Sequence, residues 1–182
     1  NRQICFKYGE WNAAKELVEK KGGTKYRVSP WALTWDDENY YLIAFDEAAG
    51  IIKHYRVDKM LGIDLTEAER TGQDSFEDFD LATFARKTFG MFGGPDADVV
   101  LRCRNHLAGV IIDRFGREVS LVPEDGDHFH VHVTVAVSPQ FWGWVTGIGP
   151  GIEIVSPAEV REAYSEYLRT ILAKYTKADN LK

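Results

Sequence analysis

In GDHFHVHVTVAV, residues 126–137, polar and apolar residues alternate from His128 to Val135. Successive side chains of a β-strand point to opposite faces, so this stretch reads as a strand with two unlike sides. Phe129, Val131, Val133, Val135 and Val137 share the core face. His128, His130, His132 and Thr134 share the other, which gathers three of the chain's five histidines. The same alternation in DVVLRCR, 98–104, turns Val99, Leu101 and Cys103 inward and Arg102 and Arg104 outward. If the two strands are neighbours, the arginines lie beside the histidines, and a cationic surrounding disfavours a divalent metal. Asp127 is the one nearby carboxylate in this reading, whereas a metal centre wants further ligands and supporting acceptors. The histidine stripe is therefore expected to be a solvated or partner-facing strand face, with no metal assigned. An RNA-recognition sheet is also disfavoured, because it needs aromatics on the open face and Phe129 points with the valines.

Around this strand the elements alternate. A helix is expected over HLAGVIIDRFG, 106–116, and a hairpin over EVSLVPEDGDHFHVHVTVAV, 118–137, turning at Glu124-Asp125-Gly126. A short helix over QFWGWVTGIG, 140–149, precedes a strand over GIEIVS, 151–156. A long helix over 157–175 starts at Ser156-Pro157. With 98–104 this gives the order β-α-β-β-α-β of a ferredoxin-like split βαβ unit, whose helices cover one face and leave the histidines on the open one. Gly147, Gly149 and Gly151 follow a helix and precede a strand, so they read as a cap and turn, not a dinucleotide loop.

The first sixty residues differ. ICFKYGEWN, KELVEKK, KYRVSPWALTW, NYYLIAFD and IIKHYRVDK read as five short strands, separated by turn signals at Gly22-Gly23, Asp36–Asn39 and Ala49-Gly50. That pattern suggests a small barrel of Sm or SH3 type. Between the halves lies an acidic stretch in which Asp80 caps a helix over LATFARKTFGMF, 81–92. Its face carries Leu81, Phe84, Ala85 and Phe89, and Gly93-Gly94-Pro95 ends it. The expected organisation is α+β: an Sm/SH3-like small β-barrel at 1–62, a linker helix within 63–95, and a ferredoxin-like βαββαβ domain at 96–182.

At 45% hydrophobic and 13% aromatic, the 182 residues can build real cores. No apolar run approaches the ~20 residues of a membrane span, and signal or lipidation patterns are absent. Cys5 and Cys103 have apolar neighbours and lie far apart, as expected of buried thiols in a reducing cytoplasm. On an apolar strand face Cys103 makes a poor nucleophile. No Ser/His/Asp, Cys/His or paired-carboxylate spacing appears, so no catalytic residue and no cofactor is expected. The chain opens on Asn1 and runs almost directly into a strand, which reads as a piece cut from something longer.

The net charge of −6 argues against sequence-independent duplex binding, but it is uneven: residues 1–60 carry 10 Lys and Arg against 9 Asp and Glu. Lys53, His54, Tyr55, Arg56 and Lys59 fall within seven residues. On one continuous strand Lys53, Tyr55, Val57 and Lys59 would share a face, and His54, Arg56 and Asp58 the other. An amphipathic edge strand with snorkelling stems and an anion-binding site both fit this segment.

RVSPWALTWDDENYYLIAFDEAAGIIKHYRVDKM, 27–60, resembles the core of WYL domains. The family pattern is matched by Pro30 and Leu33, then Tyr40-Tyr41-Leu42, then Lys53, Tyr55, Arg56, Val57, Asp58, Lys59 and Met60. Tyr40 replaces the eponymous Trp, Lys59 replaces an Arg, and Lys53 stands where Arg is usual. VVLRCR, RFG, WVTGIG and IVSPAEVR resemble the extension that follows such domains. The resemblance implies the ligand-sensing and dimerisation part of a bacterial transcriptional regulator, without the helix-turn-helix domain through which it would meet operator DNA. It implies a nucleotide or single-stranded nucleic acid effector, bound by Tyr41, Lys53, His54, Tyr55, Arg56 and Lys59, with Tyr41 or Tyr55 stacking a base. The alternative is a protein–protein interaction module whose His/Arg face docks a partner.

Overall fold

Alternating apolar and polar residues build two separate antiparallel sheets, one in each half of the chain. The computed structural model describes residues 1–77 and 80–176, so residues 78–79 of the expected linker and 177–182 of the expected last domain lie outside it. The chain divides into two units, Asn1–Leu81 and Ala82–Lys182. Both are mixtures of strand and helix, making the protein α+β.

In the first unit the strands are β1 (Ile4–Trp11), β2 (Leu17–Glu19), β3 (Tyr26–Asp36), β4 (Asn39–Asp46), β5 (Ile51–Arg56) and β6 (Met60–Leu65). They pair in the order β2-β1-β3-β4-β5, with β6 also on β1. The sheet curls around Phe6, Val28, Leu42, Ala44, Tyr55 and Met60. Phe6 is the hub: its ring is stacked at 5.7 Å on Tyr26 and set edge-on at 5.2 Å to Tyr55. Such ring geometry adds to the area buried. The β3–β4 hairpin turns at Asp37 and Glu38, whose φ of 44° and 61° give the twist a tight antiparallel turn needs. In β3 the register shifts between Pro30 and Ala32, where proline's missing N–H is tolerated at a bulge.

Two expected strands are shorter than the sequence pattern. KELVEKK contributes only β2, because the chain leaves it through a 3-10 turn at Lys20–Gly23 with Lys21 and Gly22 at positive φ. IIKHYRVDK stops as a strand at Arg56, and a 3-10 turn over Val57–Lys59 leads into β6.

The acidic stretch after β6 is laced onto the first sheet. Gln3 N–H donates to Ala68 O at 2.9 Å, Thr71 N–H to Ser29 Oγ at 2.8 Å and Arg70 Nη1 to Pro30 O at 2.8 Å. Trp31 donates from Nε1 to Thr71 O at 3.0 Å, stacks on Phe76 at 5.3 Å and carries the Arg70 guanidinium 4.2 Å above its ring. One short turn of helix follows, α1 (Asp74–Glu77).

The helix expected over 81–92 is cut short as α2 (Leu81–Lys87). The Thr88 hydroxyl donates to Phe84 O at 2.9 Å, and the chain then reverses through Gly90 and Met91 at φ of 57° and 55°. Burial decides this: Phe89 packs at 5.2 Å on Phe141 and 5.3 Å on Trp144, with Arg114 3.9 Å above its ring. Continuing the helix would carry that ring away from its partners.

The second unit continues as β7 (Asp96–Arg104), α3 (Ala108–Phe115), β8 (Leu121–Pro123), β9 (His128–Ala136), α4 (Pro139–Ile148), β10 (Ile152–Ser156) and α5 (Ala158–Thr176). Its sheet runs β10-β7-β9-β8, every neighbour antiparallel. Val99, Leu101, Cys103, Phe129, Val131, Val135 and Ile154 form the buried face, covered by Leu107 and Ile111 beside and within α3, Phe141 and Val145 of α4 and Val160 of α5. Ser138 caps α4, its hydroxyl oxygen accepting from Phe141 N–H, with Pro139 in the first turn. Burial pushes the Cys103 thiol up to about 11, which leaves it an inert core residue.

Replacing Phe6 with Ala removes the ring on which three tyrosines of the first sheet pack. A loss of about 3–5 kcal/mol is expected in urea denaturation, the range for a large buried aromatic. A loss under ~1 kcal/mol would mean that the sheet is not organised around this ring.

Candidate anion-binding site

The β4–β5 pairing distributes the basic segment over two faces. Tyr41 lies opposite Arg56 and Ile43 opposite His54, while Leu42 lies opposite Tyr55 and Ala44 opposite Lys53. Tyr41, His54 and Arg56 therefore share the outer face, and Lys53 and Tyr55 the inner. Lys59 belongs to neither, because the strand has given way to the 3-10 turn. The single face predicted for Lys53, Tyr55 and Lys59 is broken there.

Neither tyrosine offers an open ring. Tyr55 is 5% exposed, enclosed by Phe6, Tyr8 and Tyr26, and burial pushes its phenol far above the ordinary range. Tyr41 is 7% exposed and lies edge-on to the His54 ring at 6.3 Å. Stacking of a base on either ring is contradicted by this burial.

Those groups are held in place by carboxylates. Lys53 Nζ lies 2.6 Å from Asp46 Oδ2. Arg56 grips Asp58 with both prongs, Nε to Oδ1 at 3.1 Å and Nη2 to Oδ2 at 2.8 Å. That fork holds the Asp58 carboxyl below the usual carboxylate range. The Arg56 N–H donates to Tyr8 Oη at 3.0 Å, tying the end of β5 to β1. Lys59 follows directly and makes no ion pair among the described residues.

Comparison with known families resolves both halves: residues 1–65 match the WYL domain and residues 95–172 the WCX domain. The chain is a WYL–WCX protein. Among solved structures it is similar to proteasome accessory factor B/C (PafBC) of Arthrobacter aurescens, at 18% identity and a TM-score of 0.41 over 97% of this chain and 25% of that one. It is similar also to a CRISPR Cas-related protein, at 13% identity and a TM-score of 0.49 over 98% of this chain and 49% of that one. The WYL–WCX chain thus spans a quarter of the one and about half of the other. No curated protein matches it.

In the first unit a second feature carried no sequence signal. A cavity of about 530 Å³ is lined by Trp31, Arg70, Gln73 and Phe76, among others, and by none of the six expected site residues. Arg70 reaches Trp31 from 39 positions away, a contact that no local pattern encodes.

In the WCX region the histidine stripe lies on the face opposite the helices, with Arg102 directly across from His130 and Arg104 from His128. The expectation that Asp127 is the one nearby carboxylate is overturned. The β8–β9 turn folds Glu124 and Asp125 back over the strand: Arg102 Nε is 2.6 Å from Glu124 Oε2, and His128 Nδ1 is 3.0 Å from Asp125 Oδ1. The Asp127 N–H, donating at 2.7 Å, holds the Asp125 carboxyl below its ordinary range. Among the described residues no helix is long and apolar enough to cross a membrane.

The Asp46–Lys53 pair gives a pH test. Burial works to raise the Asp46 carboxyl, but the Lys53 ammonium and the Ala49 N–H outweigh it and hold the group below its ordinary 3.8. A carboxyl depressed on folding stabilises above its unfolded value and loses that contribution as pH falls through the folded one. Asp46→Asn is therefore expected to be less stable than wild type at pH 7, with the difference shrinking below pH 3.8. Urea titrations at pH 7 and pH 3 check it. An unchanged difference at the lower pH would assign the effect to something other than the carboxylate charge.

Proposed function

We propose that this WYL–WCX chain is the ligand-sensing and dimerisation part of a bacterial transcriptional regulator, and is not an enzyme. Its WYL domain binds an anionic effector, a nucleotide or single-stranded nucleic acid. Operator DNA is contacted through a domain outside this sequence, and the working form is a cytoplasmic homodimer. The first unit reads as an Sm-like half-barrel. The second reads as a ferredoxin-like unit, supported by a sheet order that places the fourth strand of the unit beside the first and the first beside the third. Residues 1–62, 63–95 and 96–182 are the corresponding parts, with the start of the second part, through Phe76, completing the first sheet and packing on it.

The observation that carries the reading is the clustering of Arg56 and Lys59 at the exit of β5 within a matched WYL domain, in a chain of net charge −6. Arg56 is already splayed bidentately on Asp58, so its fork is set in the geometry that a phosphate takes. A phosphate dianion outcompetes a half-exposed monoanionic carboxylate, and Lys59 adds a second charge. His54 and Tyr41 line the same face, while Lys53 and Tyr55 hold the strand from the inner side. Exchanging Asp58 for the ligand alters the β5–β6 turn, and preferential binding to one arrangement shifts the population of the dimer. The partner-docking alternative has less to stand on, because Arg102 and His128 on the open face already engage Glu124 and Asp125.

Fluorescence anisotropy with labelled short single-stranded DNA and RNA, across a salt series, tests the site. Binding is expected to weaken with salt and to fall at least ~10-fold in the Arg56→Ala/Lys59→Ala double variant. Asp58→Asn, which removes the competing carboxylate, is expected to bind more tightly. Unchanged affinity in the double variant would remove the site.

A further inference from the structure

The open face of the WCX sheet gathers more than an arginine pair and a histidine stripe. Ligand atoms of Glu124, Asp125 and His128 all lie within 4.8 Å of one another. His130 stands just outside that set, beside Glu124 alone: its Nε2 is 3.5 Å from Glu124 Oε2, is covered by protein, and has no hydrogen-bond partner among the described residues, so it joins the others only as Arg102 leaves. An ion with four N and O ligands at ~2.0–2.1 Å sets neighbouring ligand atoms about 3.3 Å apart. The His128–Asp125 separation of 3.0 Å and the His130–Glu124 separation of 3.5 Å fall on either side of that edge.

The arrangement is also held ready. Asp125 Oδ1 accepts the N–H groups of Asp127 and His128, each at 2.7 Å, which fixes the turn that carries the two carboxylates. The histidines stand two residues apart on β9, so both rings leave the same side of the strand.

A cation already occupies this place. Arg102 reaches Glu124 with Nε at 2.6 Å and Asp125 with Nη2 at 3.5 Å. One guanidinium leaves two carboxylates half-neutralised, whereas a divalent ion balances them and uses both imidazoles as well. Arg102 has somewhere else to go, since Glu153 of β10 is its direct partner across the other edge of β7.

We propose that Glu124, Asp125, His128 and His130 form a site for a divalent transition-metal ion with the ligand preferences of zinc, which on binding displaces Arg102 toward Glu153. The ion clips the β8–β9 turn to the strand beneath it. Imidazole and carboxylate donors with no thiolate favour zinc-like ions over magnesium. Cys103 cannot join the set, because it faces the opposite side of the sheet.

Isothermal titration calorimetry of the full chain, without a histidine tag, tests this with zinc chloride and with magnesium chloride as the contrast. One equivalent of zinc is expected to bind with a Kd on the order of micromolar or tighter, and magnesium not to compete. His128→Ala/His130→Ala is expected to weaken zinc at least ~10-fold, and Glu124→Gln, on the exposed turn, to weaken it in the same direction. Arg102→Gln is expected to bind zinc several-fold more tightly, a gain that loss of a purely structural ion pair would not give. No saturable zinc binding, equal affinity in the histidine variant, or weaker binding in Arg102→Gln would each overturn the site. The oligonucleotide measurements on Arg56 and Lys59 are independent of this result.

Discussion

The nine-residue antiparallel register between β7 and β9, from Asp96 opposite Ala136 to Arg104 opposite His128, is the constraint on which the second half depends. Because strand side chains repeat every two residues, a slip by one would turn Leu101, Cys103, Phe129 and Val131 to water and drive Arg102 and His130 beneath the helices. Burying the Arg102 charge unpaired would cost several kcal/mol, and the His130 imidazole would need a new polar partner. The same register decides which chemistry meets on the open face, so core formation and site assembly are one event.

The first half relies on a different constraint. Its sheet curls over aromatic rings, and each of Tyr8, Tyr26 and Tyr55 touches both Phe6 and another tyrosine. The charges of the basic segment are arranged around that cluster. Lys53 and Arg56 are each neutralised by a carboxylate, Asp46 at the end of β4 and Asp58 on the turn after β5. Under the proposed function, an anion docking there would exchange with Asp58 and would not have to desolvate a bare cation.

Strand existence and the two faces of β7 and β9 were legible because hydrophobic alternation over Phe129–Val135 is unbroken and Leu101–Arg102–Cys103–Arg104 repeats it on β7. The basic segment was harder. Both faces of β4 are apolar, with Tyr41 and Ile43 on one side and Leu42 and Ala44 on the other, so alternation could not say which side of β5 is core. Lys59 left the strand at a 3-10 turn whose residues, Val-Asp-Lys, carry a single Asp and no Gly or Pro to mark it. Glu124 and Asp125 looked like ordinary hairpin-turn residues, since their approach to Arg102 depends on a partner more than twenty positions away. Phe89 ended α2 early for the same kind of reason: long-range ring packing outweighed local helix propensity.

The lacing of residues 66–76 over β3 gives the folded unit a different edge from the sequence signature. The WYL match ends at residue 65, yet the covalent neighbours just beyond it satisfy Ser29 and Trp31 and fill the space beside Phe45, where Gly72 leaves no room for a side chain. Cutting the chain at 65 would bare an indole and strand a buried hydroxyl. The packed first unit therefore extends past the recognisable motif. Exchange of WYL modules between proteins should be made beyond Phe76, not at the last matched residue.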